Sequence, residues 1–207
     1  MSFVDLFGWV CAAVGATLSL PQAIRLVRSR TSAGVSLLSW QLTLGAISTW
    51  LLHGFLMERA NLIAANGIAA ATILAVVIMI RRDRRLGFVE TYWPAVATFA
   101  ACAAVDIWAG ALAFGLFVIA PQSVAVLAQY RDLRISIDVS GVSGGFLLLS
   151  VIVQALWFTW SLLAIEYAVM AAASITMVLC LANLALYLLR VTGTLAAKPV
   201  APSTMTP

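Results

Sequence analysis

Two side chains in the first half of the sequence could together bind a small polar solute. Trp50 offers a flat apolar face and an N–H donor, and Asn66 offers two donors and an acceptor. At about 1.5 Å per residue, Trp50 lies about 10 Å before Met57, and Asn66 about 7–8 Å beyond Asn61. The two can share one depth between adjacent helices, where they suit a sugar. Helix packing for Trp50 and a helix-tying hydrogen bond for Asn66 are the alternatives.

Few residues could support acid–base, covalent or metal chemistry. His53 is the single histidine, and we expect it at a gate or in packing rather than in proton coupling. Asp5 and Asp106 each stand where a helix is expected to start, so we favour helix capping over a proton relay. The sequence has no ATP-binding motif, catalytic triad or metal cluster. We therefore expect neither an enzyme nor a bound metal or cofactor.

Pro21-Gln22 and Pro121-Gln122 are candidate hinges. A proline inside a helix removes one backbone hydrogen bond and clashes with the carbonyl four residues earlier. Two such weak points in one chain could flex together, and the glutamines could bond the freed groups or line an inner vestibule. A static kink at each proline is the alternative.

The composition indicates that lipid, not water, surrounds most of the chain. Of 207 residues, 63% are hydrophobic and 10% are charged, with a mean hydropathy of +1.05, whereas soluble domains carry about 25% charged residues. The net charge of +4 comes from short basic runs between apolar stretches, which suits membrane topology and not nucleic-acid binding. Stretches of about 20 apolar residues span a bilayer. The predicted spans are 3–24, 35–56, 61–80, 92–108, 110–130, 141–163 and 167–189.

The basic residues predict the orientation of these spans. With seven spans and the N-terminus outside, Arg59 is the one Lys or Arg of twelve that falls outside. Without the fourth span, four more basic residues would fall outside, namely Arg131, Arg134, Arg190 and Lys198. The positive-inside rule therefore favours seven spans, with the C-terminus in the cytoplasm.

The sequence repeats itself once. Pro21-Gln22 recurs 100 residues later as Pro121-Gln122, and Gly34-Val35-Ser36 recurs 107 residues later as Gly141-Val142-Ser143. Trp50 meets Trp157 at the second offset, and Asp5 and Asp106 open the two units. We place the seven extra residues in the loop after the second Pro-Gln.

The repeats predict a domain layout of 3+1+3 helices. Two three-helix units joined directly would point in opposite directions, and one linker helix restores a parallel arrangement, which is a known transporter plan. We predict an all-α integral membrane protein with a first repeat at 1–85, a linker helix at 86–109 and a second repeat at 110–190. The tail at 191–207 is predicted to be mobile.

Two Pro-Gln motifs, each followed by a basic loop and Gly-Val-Ser, resemble the PQ-loop superfamily, and the 3+1+3 layout resembles SWEET sugar transporters. The resemblance covers about residues 3–190, and the first repeat is similar to the half-size SemiSWEETs. It implies a substrate site at Trp50, Asn66 and Trp157. At the position of the second asparagine this sequence has Ala173, followed by Ser174, so the pocket is expected to be asymmetric. His53, with Glu58 and Arg59, is expected at the outer gate.

We therefore expect facilitated diffusion of a mono- or disaccharide by alternating access, in a lipid bilayer and without nucleic acid. A proton-driven amino-acid transporter of the same superfamily, with Asp106 as its titrating acid, is one alternative. A non-transporting membrane receptor or assembly factor on the same scaffold is the other. The high Ala and Arg usage suggests a bacterial cytoplasmic membrane, and a homo-oligomer is possible.

Overall fold

A computed structural model describes residues 2–58, 60–165 and 167–197, and within these ranges all regular structure is helical. This confirms the all-α prediction for that part of the chain. The second half of the 191–207 tail, from residue 198, lies outside the described residues, as does Arg59. The helices are α1 Phe3–Ala16, α2 Leu20–Ser29, α3 Leu37–Leu56, α4 Ala60–Arg84, α5 Phe88–Ala109, α6 Ala111–Phe117, α7 Ile119–Ile135, α8 Gly144–Ala164 and α9 Tyr167–Val191.

Six helical stretches are long and apolar enough to cross a membrane, which fits an all-α membrane protein. They are 3–29, 62–84, 88–109, 111–135, 144–164 and 172–191. The first joins α1 to α2 and the fourth joins α6 to α7. Many of their outward positions carry exposed large apolar side chains, including Phe3, Phe88 and Leu112, and contact with lipid explains such a surface. The second predicted span, 35–56, falls on α3, which is not among these six.

Local sequence explains where several helices begin and end. Ser2 and Asp5 form a capping box at the start of α1, as predicted for Asp5. Ser36 and Ser143 each cap the helix that follows, accepting a hydrogen bond from a backbone N–H three residues on. Gly110, with φ +85°, makes the sharp turn between α5 and α6.

The helices pack in two groups of matching order. In the first group α4 contacts both α1 and α3, and in the second α9 contacts α6, α7 and α8. Between the groups, α1 contacts α8 and α3 contacts α7. Helix α5 packs along α3 and also contacts α6. The contacts of α1, α2 and α3 with α4 are thus matched by the contacts of α6, α7 and α8 with α9.

Close packing of α3 on α5 depends on one glycine. A Cβ added at Gly45 would lie 2.5 Å from the carbonyl oxygen of Ala95 and 2.7 Å from Cβ of Thr98. A small residue at a helix crossing lets two backbones approach closely, which is how helices associate in lipid.

The start of the tail is attached to the bundle. Arg134 Nη1 donates to the carbonyl oxygen of Ala196 at 3.0 Å, and Leu195 packs against the main buried cluster, which includes Val76, Ile80 and Leu133. The described residues of the predicted tail, up to 197, thus contact the helical bundle.

Candidate functional site

The loop after α2 and the loop after α7 meet at one end of the bundle. The segments 30–36 and 136–143 form this end, which we call the loop junction. Gly141 N donates to the carbonyl oxygen of Ala33 at 3.1 Å. A Cβ at Gly34 would lie 2.9 Å from Cα of Val139, and one at Gly141 would lie 2.7 Å from the oxygen of Ala33. The two loops are therefore in direct backbone contact.

Gln22 ties the first repeat to the loop of the second. Its Nε2 donates to the carbonyl oxygen of Gly141 at 2.8 Å, and its Oε1 accepts from the N–H of Ser143 at 2.8 Å. The side chain is 1% exposed, so both hydrogen bonds are shielded from bulk water. Nearby, Arg25 Nε donates to the carbonyl oxygen of Ser140 at 2.8 Å.

Gln129 makes the reciprocal connection. Its Nε2 donates to the carbonyl oxygen of Gly34 at 3.0 Å, and its Oε1 accepts from the N–H of Ser36 at 3.0 Å. Gln129 is buried as well. Each glutamine therefore binds the Gly and Ser of the opposite Gly-Val-Ser segment, with the same atoms in the same roles.

The sequence comparison paired Gln22 with Gln122, and the structure shows that this pairing is wrong for the hydrogen bonds. Gln122 is half-buried on α7, two turns before Gln129. The equivalent glutamine stands at the 107-residue offset that also relates Ser36 to Ser143 and Trp50 to Trp157. That shared offset was the signal that could have identified Gln129.

The seven extra residues of the second repeat lie in a helix, not in a loop. From Gln22 to Gly34 and from Gln129 to Gly141 the separation is the same, 34 − 22 and 141 − 129. Helix α7 has 17 residues against 10 in α2. Seven residues make almost two helical turns, so the insertion lengthens α7 without rotating its face.

Both prolines lie just after a break in the first helix of their repeat. Residues 17–19 separate α1 from α2, and Pro21 is in the first turn of α2. Val118 separates α6 from α7, and Pro121 is in the first turn of α7. Proline is accommodated at these positions because an N–H in the first turn has no helical partner.

Trp50 lies in an aromatic cluster at the end of the bundle opposite the loop junction, which we call the far end. Its ring centroid is 4.6 Å from that of Phe114 on α6 and 5.6 Å from that of His53. Phe114 is fully buried. Helix α6 therefore covers one side of the indole.

His53 and Asp106 form a buried pair between α3 and α5. Nδ1 of His53 lies 2.9 Å and 3.0 Å from the two carboxylate oxygens of Asp106, and the residues are 9% and 7% exposed. Asp106 was expected to open and cap a helix. That prediction is wrong, because it lies in the last turn of α5 and its side chain binds His53. No local sequence pattern indicates this contact across 53 positions.

Trp157 occupies the matching position on α8. Its Nε1 lies 3.9 Å from where a Cβ of Gly15 would stand on α1, and its ring meets that of Trp160 at 5.6 Å. Trp160 Nε1 donates to the carbonyl oxygen of Val4 at 3.3 Å. Trp50 thus faces α6 and Trp157 faces α1, and in each case the facing helix is the first helical segment of the opposite repeat.

The other predicted pocket residues bond within their own helices. Asn66 Nδ2 donates to the carbonyl oxygen of Leu62 at 2.9 Å, and Ser174 Oγ donates to that of Met170 at 2.7 Å. Ala173 is buried. Of the expected outer-gate set, Glu58 is exposed at the end of α3 with φ +51°.

A second asparagine makes an interhelical bond that the sequence interpretation did not assign. Asn183 Nδ2 donates to the carbonyl oxygen of Val126 at 2.9 Å, and its buried Oδ1 has no hydrogen-bond partner among the described residues.

Neither of the two best-formed cavities in the described part of the chain is lined by Trp50, Asn66 or Trp157. One of about 290 Å³ lies between α2 and α4 near the loop junction. The other, of about 160 Å³, lies between α7 and α9. Among the residues that the structure describes, no three His, Cys, Asp or Glu side chains cluster as metal ligands would.

Comparison with protein-family models gives no match for this sequence, and comparison with curated proteins gives none.

Proposed function

We propose that the chain is a seven-helix solute carrier of the PQ-loop type, with a SWEET-like layout, which moves a small sugar by facilitated diffusion. The observation that supports this best is the reciprocal binding by Gln22 and Gln129. Two halves of one chain that hold each other by the same atoms at the same places are related by a pseudo-two-fold axis. Parallel repeats of this kind enclose substrate sites at their interface in known transporters.

In this proposal α3 is the additional span that brings the six apolar stretches to seven crossings. Its 20 residues extend about 30 Å, enough to cross the hydrocarbon core. Its polar side chains Gln41, Thr49 and His53 are buried among neighbouring helices. Gln41 Nε2 donates to the carbonyl oxygens of Glu90 and Thr91 at 2.7 and 2.8 Å. Polar side chains that are hydrogen-bonded inside a bundle lower the mean hydropathy of their helix. Because they do not face lipid, the helix can still cross the membrane.

The first and the last described segments of the chain lie at opposite ends of the bundle, which supports an odd number of crossings. Val4, near the start of α1, contacts Trp160 at the far end. Ala196, after α9, contacts Arg134, whose helix α7 ends at the loop junction. An even number of crossings would bring the two ends to one side.

Alternating access would use the helix breaks. The loop junction closes one end, and α6 covers Trp50 at the other. Helix α6 has seven residues, with Gly110 at one end and the break at Val118 at the other. A short segment with such ends can tilt as a unit. In this proposal its tilt uncovers Trp50 to solute, while rupture of the glutamine bonds opens the loop junction.

The buried His53–Asp106 pair favours a second candidate, proton-coupled transport of a small solute such as an amino acid. Ionisable groups within membrane helices are rare and commonly mark proton pathways. His53 Nδ1 lies 2.9 Å from Asp106 Oδ2, and this contact joins α3 to α5 inside the bundle.

The test is uptake into proteoliposomes from a panel of radiolabelled sugars and amino acids, with and without a proton gradient. The first proposal expects gradient-independent sugar uptake that falls at least tenfold in Trp50→Ala and Asn66→Ala and persists in Trp108→Ala. Trp108 is 85% exposed and serves as the matched control. Uptake that needs the gradient and is lost in Asp106→Asn supports the second candidate. Absence of uptake for every solute contradicts both.

A further inference from the structure

The larger cavity lies between α2 and α4, beside the loop junction. It has a volume of about 290 Å³. Its apolar wall consists of Leu26, Val27 and Met79, and its polar end includes Arg30 and Arg82. Val27 is 66% exposed on the outer face of α2, whereas Leu26 beside it is buried. The cavity is therefore a groove on the lipid-facing side of the bundle, apolar along its length and basic at one end.

The two arginines at the basic end have no acidic partner in the described part of the chain. Asp83 also lines the cavity, but this acid is already engaged: its Oδ2 accepts from the N–H and the hydroxyl of Ser32, at 2.7 and 2.5 Å. Arg84 is also occupied, because its Nη2 donates to the carbonyl oxygens of Ser32 and Val35 at 2.7 and 2.6 Å. Arg30 and Arg82 are thus the cations left to bind a ligand.

We infer that this groove binds one anionic phospholipid, with its phosphate on Arg30 and Arg82 and an acyl chain along Leu26, Val27 and Met79. Guanidinium groups match phosphate oxygens in geometry and charge. Basic pockets between membrane helices are suited to anionic head groups. The apolar wall selects a lipid over a free anion, since inorganic phosphate would leave it uncovered. Arg30 and Arg82 have no acidic partner among the described residues, so they favour an anionic lipid over a zwitterionic one.

The second repeat lacks the basic end. At the 107-residue offset the positions of Arg30 and Arg82 are occupied by Ile137 and Leu189. The cavity of about 160 Å³ between α7 and α9 is lined by Val126, Leu127, Tyr130, Leu179 and Ala182, without a charged side chain. The groove therefore accounts for one tightly held anionic lipid per chain, not two.

Occupation of the groove would strengthen the loop junction. Thr31 lines the cavity, and its carbonyl oxygen would lie 2.7 Å from a Cβ at Gly141. Thr31 Oγ1 also accepts from the N–H of Ala33, whose carbonyl oxygen binds Gly141 N. A head group on Arg30 holds this turn in place from the outside.

The test uses full-length protein, purified in detergent and delipidated, with dioleoyl phosphatidylglycerol or dioleoyl phosphatidylcholine added. Native mass spectrometry counts bound lipid, and thermal unfolding reports its effect on stability. We expect one phosphatidylglycerol per chain, a higher unfolding temperature and no matching effect of phosphatidylcholine. Arg82→Gln is expected to weaken binding about fivefold, the effect of one basic residue at a lipid surface. Arg30→Asn is expected to do the same, because Asn tolerates the left-handed backbone at φ 53°.

The control is Arg28→Gln, an exposed arginine of α2 that does not line the cavity. It should leave lipid binding unchanged. Equal loss of binding in Arg28→Gln and Arg82→Gln would overturn the site in favour of diffuse surface charge. Equal binding of both lipids, or displacement of phosphatidylglycerol by millimolar inorganic phosphate, would also overturn it.

Discussion

Gln22 and Gln129 bind each other's loop segments with the same two hydrogen bonds, one donated and one accepted. The bonds use the carbonyl oxygen of a glycine and the N–H of a serine two residues later. Because both side chains are buried, water cannot replace either partner. This symmetry is the feature from which the arrangement of the two repeats can be inferred.

Loss of either glutamine should destabilise the protein by a similar amount. Gln22→Ala and Gln129→Ala each leave a backbone donor and acceptor without a partner, at about 1–3 kcal/mol per buried group. Thermal unfolding in detergent should show comparable decreases for the two variants. Gln122→Ala is the control, and an effect as large as that of Gln129→Ala would contradict the assignment of Gln129.

Removal of one member of the His53–Asp106 pair should cost more than removal of both. A single His53→Gln or Asp106→Asn change leaves the other buried polar group without its native hydrogen-bond partner, at a cost of about 1–3 kcal/mol. A double-mutant cycle on the free energy of unfolding measures the coupling. Additive single effects would show that the pair contributes no coupling, and Glu58→Gln, an exposed acid at the same end, should be neutral.

A methyl group at Gly45 should be destabilising. Its Cβ would approach the backbone oxygen of Ala95 to 2.5 Å, and overpacking costs typically about 1–3 kcal/mol. Gly67→Ala is the matched control in α4, since the nearest atom to its added Cβ is Cδ1 of Leu51 at 3.9 Å. We expect Gly67→Ala to be neutral or slightly stabilising. Similar unfolding temperatures for the two variants would contradict the close approach of α3 and α5.

Acid should loosen the second loop. Hydrogen bonds from the N–H and hydroxyl of Ser140 hold the pKa of the Asp138 carboxyl below its usual value. A lowered pKa in the folded state means that this contribution is complete above the unfolded value of about 3.9 and is lost as the pH falls through the lower folded value. Hydrogen-exchange protection at Ser140 should therefore decrease below about pH 4. Asp138→Asn should abolish that decrease, and protection that stays independent of pH in the unmodified chain would refute it.

The sequence was sufficient for the helices but not for the contacts between them. Apolar runs and basic loops located the helical segments closely, because lipid imposes length and hydropathy on every exposed span. Helix α3 is the exception in hydropathy, since Gln41 and His53 find their partners inside the bundle. The Pro-Gln pair drew attention to Gln122, whereas a two-turn insertion in α7 moved the glutamine that binds the opposite loop to position 129. The His53–Asp106 contact depends on how α5 packs on α3, which no local pattern encodes.

The location of the two chain ends tests the account most directly. A reporter tag at the N-terminus and another at the C-terminus can be probed with an impermeant reagent in intact and in permeabilised cells. Seven crossings with parallel repeats predict that one tag reacts in intact cells and the other only after permeabilisation. Both tags reacting under the same condition would require an even number of crossings and would contradict the parallel repeats on which the carrier proposal rests.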